Sequence, residues 1–90
     1  PAEELDRVAG RYDFGPGVVF RIWREGNTLR AQREGSITGP VLTIHAEAPL
    51  RFFWRAVDAQ VVFTTDDASG EVTGAVFTQS GQSLPGRKLD

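Results

Sequence analysis

The sequence predicts an all-β domain: a compact antiparallel meander, closing into a barrel of about eight short strands behind a short N-terminal helix. Two observations carry this. Apolar residues alternate with polar ones in short runs from Val18 onward, the period of a half-buried strand. Glycine-, proline- and aspartate-containing turn signals separate those runs at roughly the 8–12-residue spacing of sandwiches and barrels.

The exception to that period comes first. Ala2 to Ala9 places Glu3 and Glu4 in a first helical turn, Leu5 and Val8 on one face, and Gly10 as a stop. Two turns are too few to stand alone in water, so this helix needs a surface to dock on and is expected to plug or cap one end of the barrel. A short strand follows from Gly10 to Phe14. The Gly15-Pro16-Gly17 corner leads into Val18–Arg24, where Val18, Phe20 and Ile22 alternate with Val19, Arg21 and Trp23.

Gly26-Asn27 is a two-residue loop of the primed-turn kind, and the next strand begins at Thr28. That register sets Trp23 opposite Arg30 and Ile22 opposite Ala31. A Trp–Arg cross-strand stack would contribute roughly 0.5–1 kcal/mol. It also brings Arg24 and Arg33 onto the face of Phe20, leaving that face apolar in the middle and charged at both ends, as suits a barrel with wet mouths.

Val41 to Glu47 reads as the next strand, with Leu42, Ile44 and Ala46 on one side and Pro49 breaking it. A strand opening with Phe52-Phe53-Trp54 is expected to run to Val57-Asp58-Ala59, followed by Gln60–Thr65 with Val61 and Phe63 on one side. Asp66-Asp67-Ala68-Ser69-Gly70 is a turn-rich loop. In Glu71–Gln79, Val72 is out of phase with Ala75 and Phe77, and a β-bulge at Gly74 would turn all three inward. Ser80-Gly81 turns the chain into Ser83–Leu89, where Pro85 marks an edge or closing strand.

Ninety residues make one domain, spanning 1–90, at a size that buries only about 60–65% of the unfolded surface. The chain reads as a domain cut from a longer one. No apolar run approaches the roughly 18 residues of a membrane-spanning helix. With no cysteine there is neither a disulfide framework nor a thiolate metal site. A net charge of −2, from ten basic and twelve acidic residues, offers no global attraction for nucleic acid, although the Arg21, Trp23, Arg24, Arg30, Trp54 and Arg55 pattern has the residue types of a single-strand binder.

No reaction is spelled out. His45 is the lone histidine and has no partner for a transition-metal site. Ser36, Ser69, Ser80 and Ser83 lie in or beside turns, without a Lys three residues on and without a Gly-x-Ser-x-Gly elbow. Asp66, Asp67 and Glu71 crowd one loop, but their spacing is that of a hairpin turn rather than an EF-hand. Gly15-Pro16-Gly17 is followed by neither a helix nor a phosphate-binding lysine. The expectation is no catalytic residue, no metal and no cofactor.

Leu5-Asp6-Arg7-Val8-Ala9-Gly10-Arg11-Tyr12-Asp13-Phe14, Pro16-Gly17-Val18-Val19-Phe20 and Glu25-Gly26-Asn27-Thr28-Leu29 resemble the start of the small lipocalin-like C-terminal domain of serine β-lactamase-like hydrolases and peptidases. Phe52-Phe53, Val61-Val62-Phe63, Gly70-Glu71-Val72-Thr73-Gly74-Ala75 and Gln79-Ser80-Gly81 continue the likeness in order, with Ala75 smaller than the aliphatic residue expected there. The resemblance implies a barrel without catalytic residues of its own, accessory to a separate upstream domain bearing the Ser-x-x-Lys nucleophile, and a periplasmic or extracellular setting. It would shape access to the hydrolase cleft or mediate assembly, with the hydrolase domain or another copy of itself as partner. Arg21, Trp23 and Arg30 form the candidate contact patch, since Trp and Arg dominate interface hot spots. The alternative is a mini-barrel holding a small apolar ligand among Phe20, Ile22, Trp54, Phe63 and Phe77, although barrels of this strand number are usually just filled by side chains.

Overall fold

The structure, a computed structural model describing residues 2–90, begins with helix α1 (Ala2–Val8), one residue shorter than the sequence pattern suggests. Eight strands follow: β1 (Gly10–Asp13), β2 (Val18–Glu25), β3 (Thr28–Gly35), β4 (Val41–Ala48), β5 (Arg51–Trp54), β6 (Ala59–Thr65), β7 (Val72–Gln79) and β8 (Gln82–Lys88). Each pairs antiparallel with the next, and β8 returns to β1 through Tyr12–Lys88 and Asp13–Arg87, closing the barrel. Closure removes the free edges a meander would expose. Pro85 therefore lies in the closing strand, opposite Val76.

The β2–β3 hairpin has the register expected of a two-residue turn, with Trp23 opposite Arg30 and Ile22 opposite Ala31. Gly26 takes a positive φ of 62° while Asn27 does not, the pattern of a type II′ turn with glycine leading. In β7, Thr65 pairs with Val72 but Thr64 with Gly74, so the bulge is present but its extra residue is Thr73, one position before the expected Gly74. That bulge brings Val72, Ala75 and Phe77 to the same buried side.

One boundary differs. β5 ends at Trp54, and Arg55–Asp58 form a turn rather than the continued strand expected to reach Ala59. Trp54 pairs directly with Ala59 across that turn, and this pairing buries both. A further register shift follows Ala46, which itself stays opposite Phe52 on the inner face, exposed only because it lines the cleft beside the helix at the end of β4.

Alternate loops of a meander share an end. The β2–β3, β4–β5 and β6–β7 turns lie with α1 at one end. There Val8 is fully buried, Leu5 packs on the core, and Arg7 donates to the Gly70 carbonyl at 2.9 Å. The helix caps this end, as its two apolar residues require. The opposite end, framed by the Phe14–Gly17 corner, the loop after β3, the Arg55–Asp58 turn and Ser80-Gly81, carries no helix.

Candidate functional site at the open mouth

The barrel interior is aromatic in two layers. Toward the helix, Tyr12, Phe52 and Phe63 pack together, with ring centroids 5.4 Å apart for Tyr12–Phe63 and 5.7 Å for Phe52–Phe63. Toward the open end, Phe20, Trp54 and Phe77 form a triangle with centroid separations of 5.9, 5.1 and 5.5 Å, in the offset and edge-on arrangements aromatic rings prefer. Phe14 leans on this triangle at 5.9 Å from both Phe20 and Phe77.

The five candidate interior residues are thus divided. Phe20, Trp54 and Phe77 floor the open mouth. Ile22 and Phe63 are buried, at 2% and 3% exposure, and belong to the packed core. Tyr12 and Phe14 are interior aromatics that the candidate set lacked, although their i, i+2 spacing in β1 and the residue after it is the signal that puts both on one face. Tyr12 is fully buried and donates its hydroxyl to the Val8 carbonyl at 2.7 Å, and burial pushes its ionisation above the ordinary tyrosine range.

Above the aromatic triangle lies a half-open cavity of about 390 Å3. Its walls are apolar, including Val18, Ala31, Leu42 and Pro40, and its rim carries Ile37, Val57 and Leu84. These three are 61%, 42% and 41% exposed. Single exposed apolar residues are ordinary on a protein surface; here three of them ring one concavity. Its lining residues with polar side-chain atoms are Arg33, Gln79 and Trp54; among the described residues it contains no serine, histidine, lysine or carboxylate.

Arg33 sits on the inner side of β3, directly opposite Phe20. Its Nη2 donates to the Gly17 carbonyl at 3.4 Å, while its Nε is shielded from solvent and has no acceptor. An unpaired buried donor costs on the order of 1–3 kcal/mol. At the other end of the same inner row, Arg24 is exposed and bridges Asp6 of the helix at 2.7 Å. The two charged ends read from the sequence are therefore unlike: one is neutralised by the cap, the other faces the mouth without an acid.

The outer patch also resolves differently from the expected stack. Arg21, not Arg30, lies over Trp23, with its guanidinium carbon 5.0 Å from the ring centroid. The indole Nε1 donates to Glu25 Oε2 at 2.9 Å, and Arg30 Nε lies 4.0 Å from that oxygen. Arg21, Trp23 and Arg30 do come together on the outer face of β2–β3, but Glu25 accepts the Trp23 N–H and stands at ion-pair distance from Arg30, whose Nε is buried without a hydrogen-bond partner among the described residues. Trp23 is half-buried rather than free-standing.

His45 is on the outer face beside Phe53, with ring centroids 5.6 Å apart. Asp66 Oδ1 accepts from the backbone N–H groups of Ala68 and Ser69 at 2.7 and 3.1 Å, so this carboxylate builds its own turn. A second cleft of about 640 Å3 lies beside the helix, with Glu4, Leu5, Val8, Glu47, Pro49 and Leu50 among its walls. Among the described residues, no helix is long and apolar enough to cross a membrane.

No protein-family model, curated protein or solved structure matches the chain.

Proposed function

We propose that the chain is a non-catalytic accessory domain, associated as its sequence resemblance implies with a serine β-lactamase-like hydrolase, and that it binds a small apolar ligand or group at the open mouth of its barrel. One observation carries the reading. The mouth combines an aromatic floor, apolar walls and an exposed apolar rim, and among the described residues its lining holds no nucleophile–base pair. Sites that bind small molecules are concave, mostly apolar and furnished with few polar groups. At about 390 Å3 this one is at the small end of the range for such sites, roughly 300–1,000 Å3. The mouth supports the ligand-binding alternative more strongly than Arg21, Trp23 and Arg30 support a docking patch, because Glu25 already engages Trp23 and Arg30.

Titration with N-phenyl-1-naphthylamine, a neutral dye that brightens in apolar surroundings, tests this reading. Saturable one-to-one binding, weakened by Leu84→Glu at the rim, is expected; absence of saturable binding overturns it. The association with a hydrolase is tested separately by the reading frame that encodes the chain. A Ser-x-x-Lys hydrolase domain preceding Pro1 is expected, and its absence removes that part of the proposal.

A further inference from the structure

We infer that the open mouth selects an anionic amphiphile: a medium-chain aliphatic carboxylate, its tail on the Phe20–Trp54–Phe77 floor and its carboxylate against Arg33. The inference rests on the mouth being the binding site and adds the chemical class of its ligand.

The charge balance of the mouth argues for it. Arg7, Arg11, Arg24 and Arg30 each have a carboxylate within 4.0 Å. Arg33 has none among the described residues, and neither do Arg21, Arg51, Arg55 and Arg87; those four are exposed to water, whereas Arg33 is half-buried against the apolar wall. Gly17 accepts one long hydrogen bond at 3.4 Å, leaving the rest of the guanidinium fork without a partner among the described residues. A planar fork of N–H donors matches a carboxylate, and a pair formed where water is partly excluded is stronger than one on an open surface. With no acid in the lining, the mouth carries a single uncompensated positive charge over an apolar floor.

The cleft beside the helix has the opposite sign. Glu4 and Glu47 line it, and no arginine or lysine does. An anionic head group finds a partner at the open mouth alone of these two cavities, and an aliphatic tail finds aromatic surface there.

Calorimetric titration of the 90-residue chain with sodium decanoate and with decanol, both below their aggregation limits, tests the inference. The structure predicts one-to-one binding of both, decanoate tighter by about tenfold or more, the equivalent of one charge-assisted pair. Arg33→Gln should abolish that preference and leave decanol unchanged, while Arg33→Lys should retain part of it; far-ultraviolet circular dichroism checks that both variants fold. Equal affinity for decanoate and decanol in the unaltered chain overturns the anion selectivity but leaves the apolar mouth standing. Failure of both to bind overturns the mouth as a site as well.

Discussion

Phe20 and Arg33 are direct partners across the β2–β3 ladder, so an aromatic ring and a guanidinium share the inner wall at the barrel's uncapped end. The pairing follows from the Gly26-Asn27 turn. A two-residue loop fixes the register, and a slip of one residue would turn Arg33 outward and bury Gln32 or Glu34 instead. The hairpin that starts the fold thus also sets the chemistry of the mouth.

Substituting Tyr12 tests how the helix is joined to the barrel. Tyr12→Phe removes the 2.7 Å hydrogen bond to the Val8 carbonyl and should cost about 1–2 kcal/mol in chemical denaturation. The change should also appear in the pH dependence. Burial holds the folded-state ionisation of Tyr12 above its unfolded value near 10. The unfolded chain therefore releases this proton first, so the contribution to stability is complete below about pH 10 and declines above it, approaching roughly 1.4 kcal/mol per pH unit. Tyr12→Phe should flatten that alkaline decline relative to the unaltered chain.

Packing at Gly86 is close enough to forbid a side chain. A β-carbon there would overlap the Phe14 ring, and Gly86 is paired with Ala75, a small residue in β7. Gly86→Ala should destabilise the domain by about 1–3 kcal/mol through overpacking. Combined with Phe14→Leu, its cost should shrink, giving a coupling measurable in a double-mutant cycle.

The helix cap should depend more on buried surface than on its ion pair. The Arg24–Asp6 bridge is solvent-facing, with Asp6 57% exposed, so Asp6→Ala should cost less than about 1 kcal/mol and be insensitive to added salt thereafter. Val8→Ala removes buried methyl groups at a fully enclosed position and should cost about 2 kcal/mol. Comparing denaturation midpoints of the two variants decides between them.

Trp23 provides a control on the outer face. Trp23→Ala loses the Arg21 stack and the hydrogen bond to Glu25, each on a half-exposed surface, and should leave the barrel folded with a loss of about 1 kcal/mol. Decanoate affinity should be unaltered, since Trp23 points away from the mouth.

Local patterns gave much of this architecture away. Val72 out of phase with Ala75 and Phe77 signalled the β7 bulge, because only an extra residue can put all three inside. The end of β5 was hidden, because the Arg55–Asp58 turn has Asp58 as its single turn-favouring residue, and that stands at the turn's end rather than at its start. There the Trp54–Ala59 pairing, a tertiary contact, decides where the strand stops. The mouth was legible only in pieces. Alternation put Phe20 and Arg33 on one face, but Trp54, Phe77 and Leu84 join them only when β8 meets β1 and the barrel closes. Nor can a sequence show that Arg24 has Asp6 to neutralise it whereas Arg33 has no acid within reach among the described residues.

Residue-resolved mapping of the ligand most directly tests the claim that the open mouth is the binding surface. In amide-shift spectra of the nitrogen-labelled domain titrated with decanoate, saturable shifts should cluster at Arg33, Ile37, Val57, Gln79 and Leu84, with α1 and the outer face at Arg21 and Trp23 unmoved. Shifts centred on Leu5, Val8 and Leu50 beside the helix, or on the outer β2–β3 face, would contradict it.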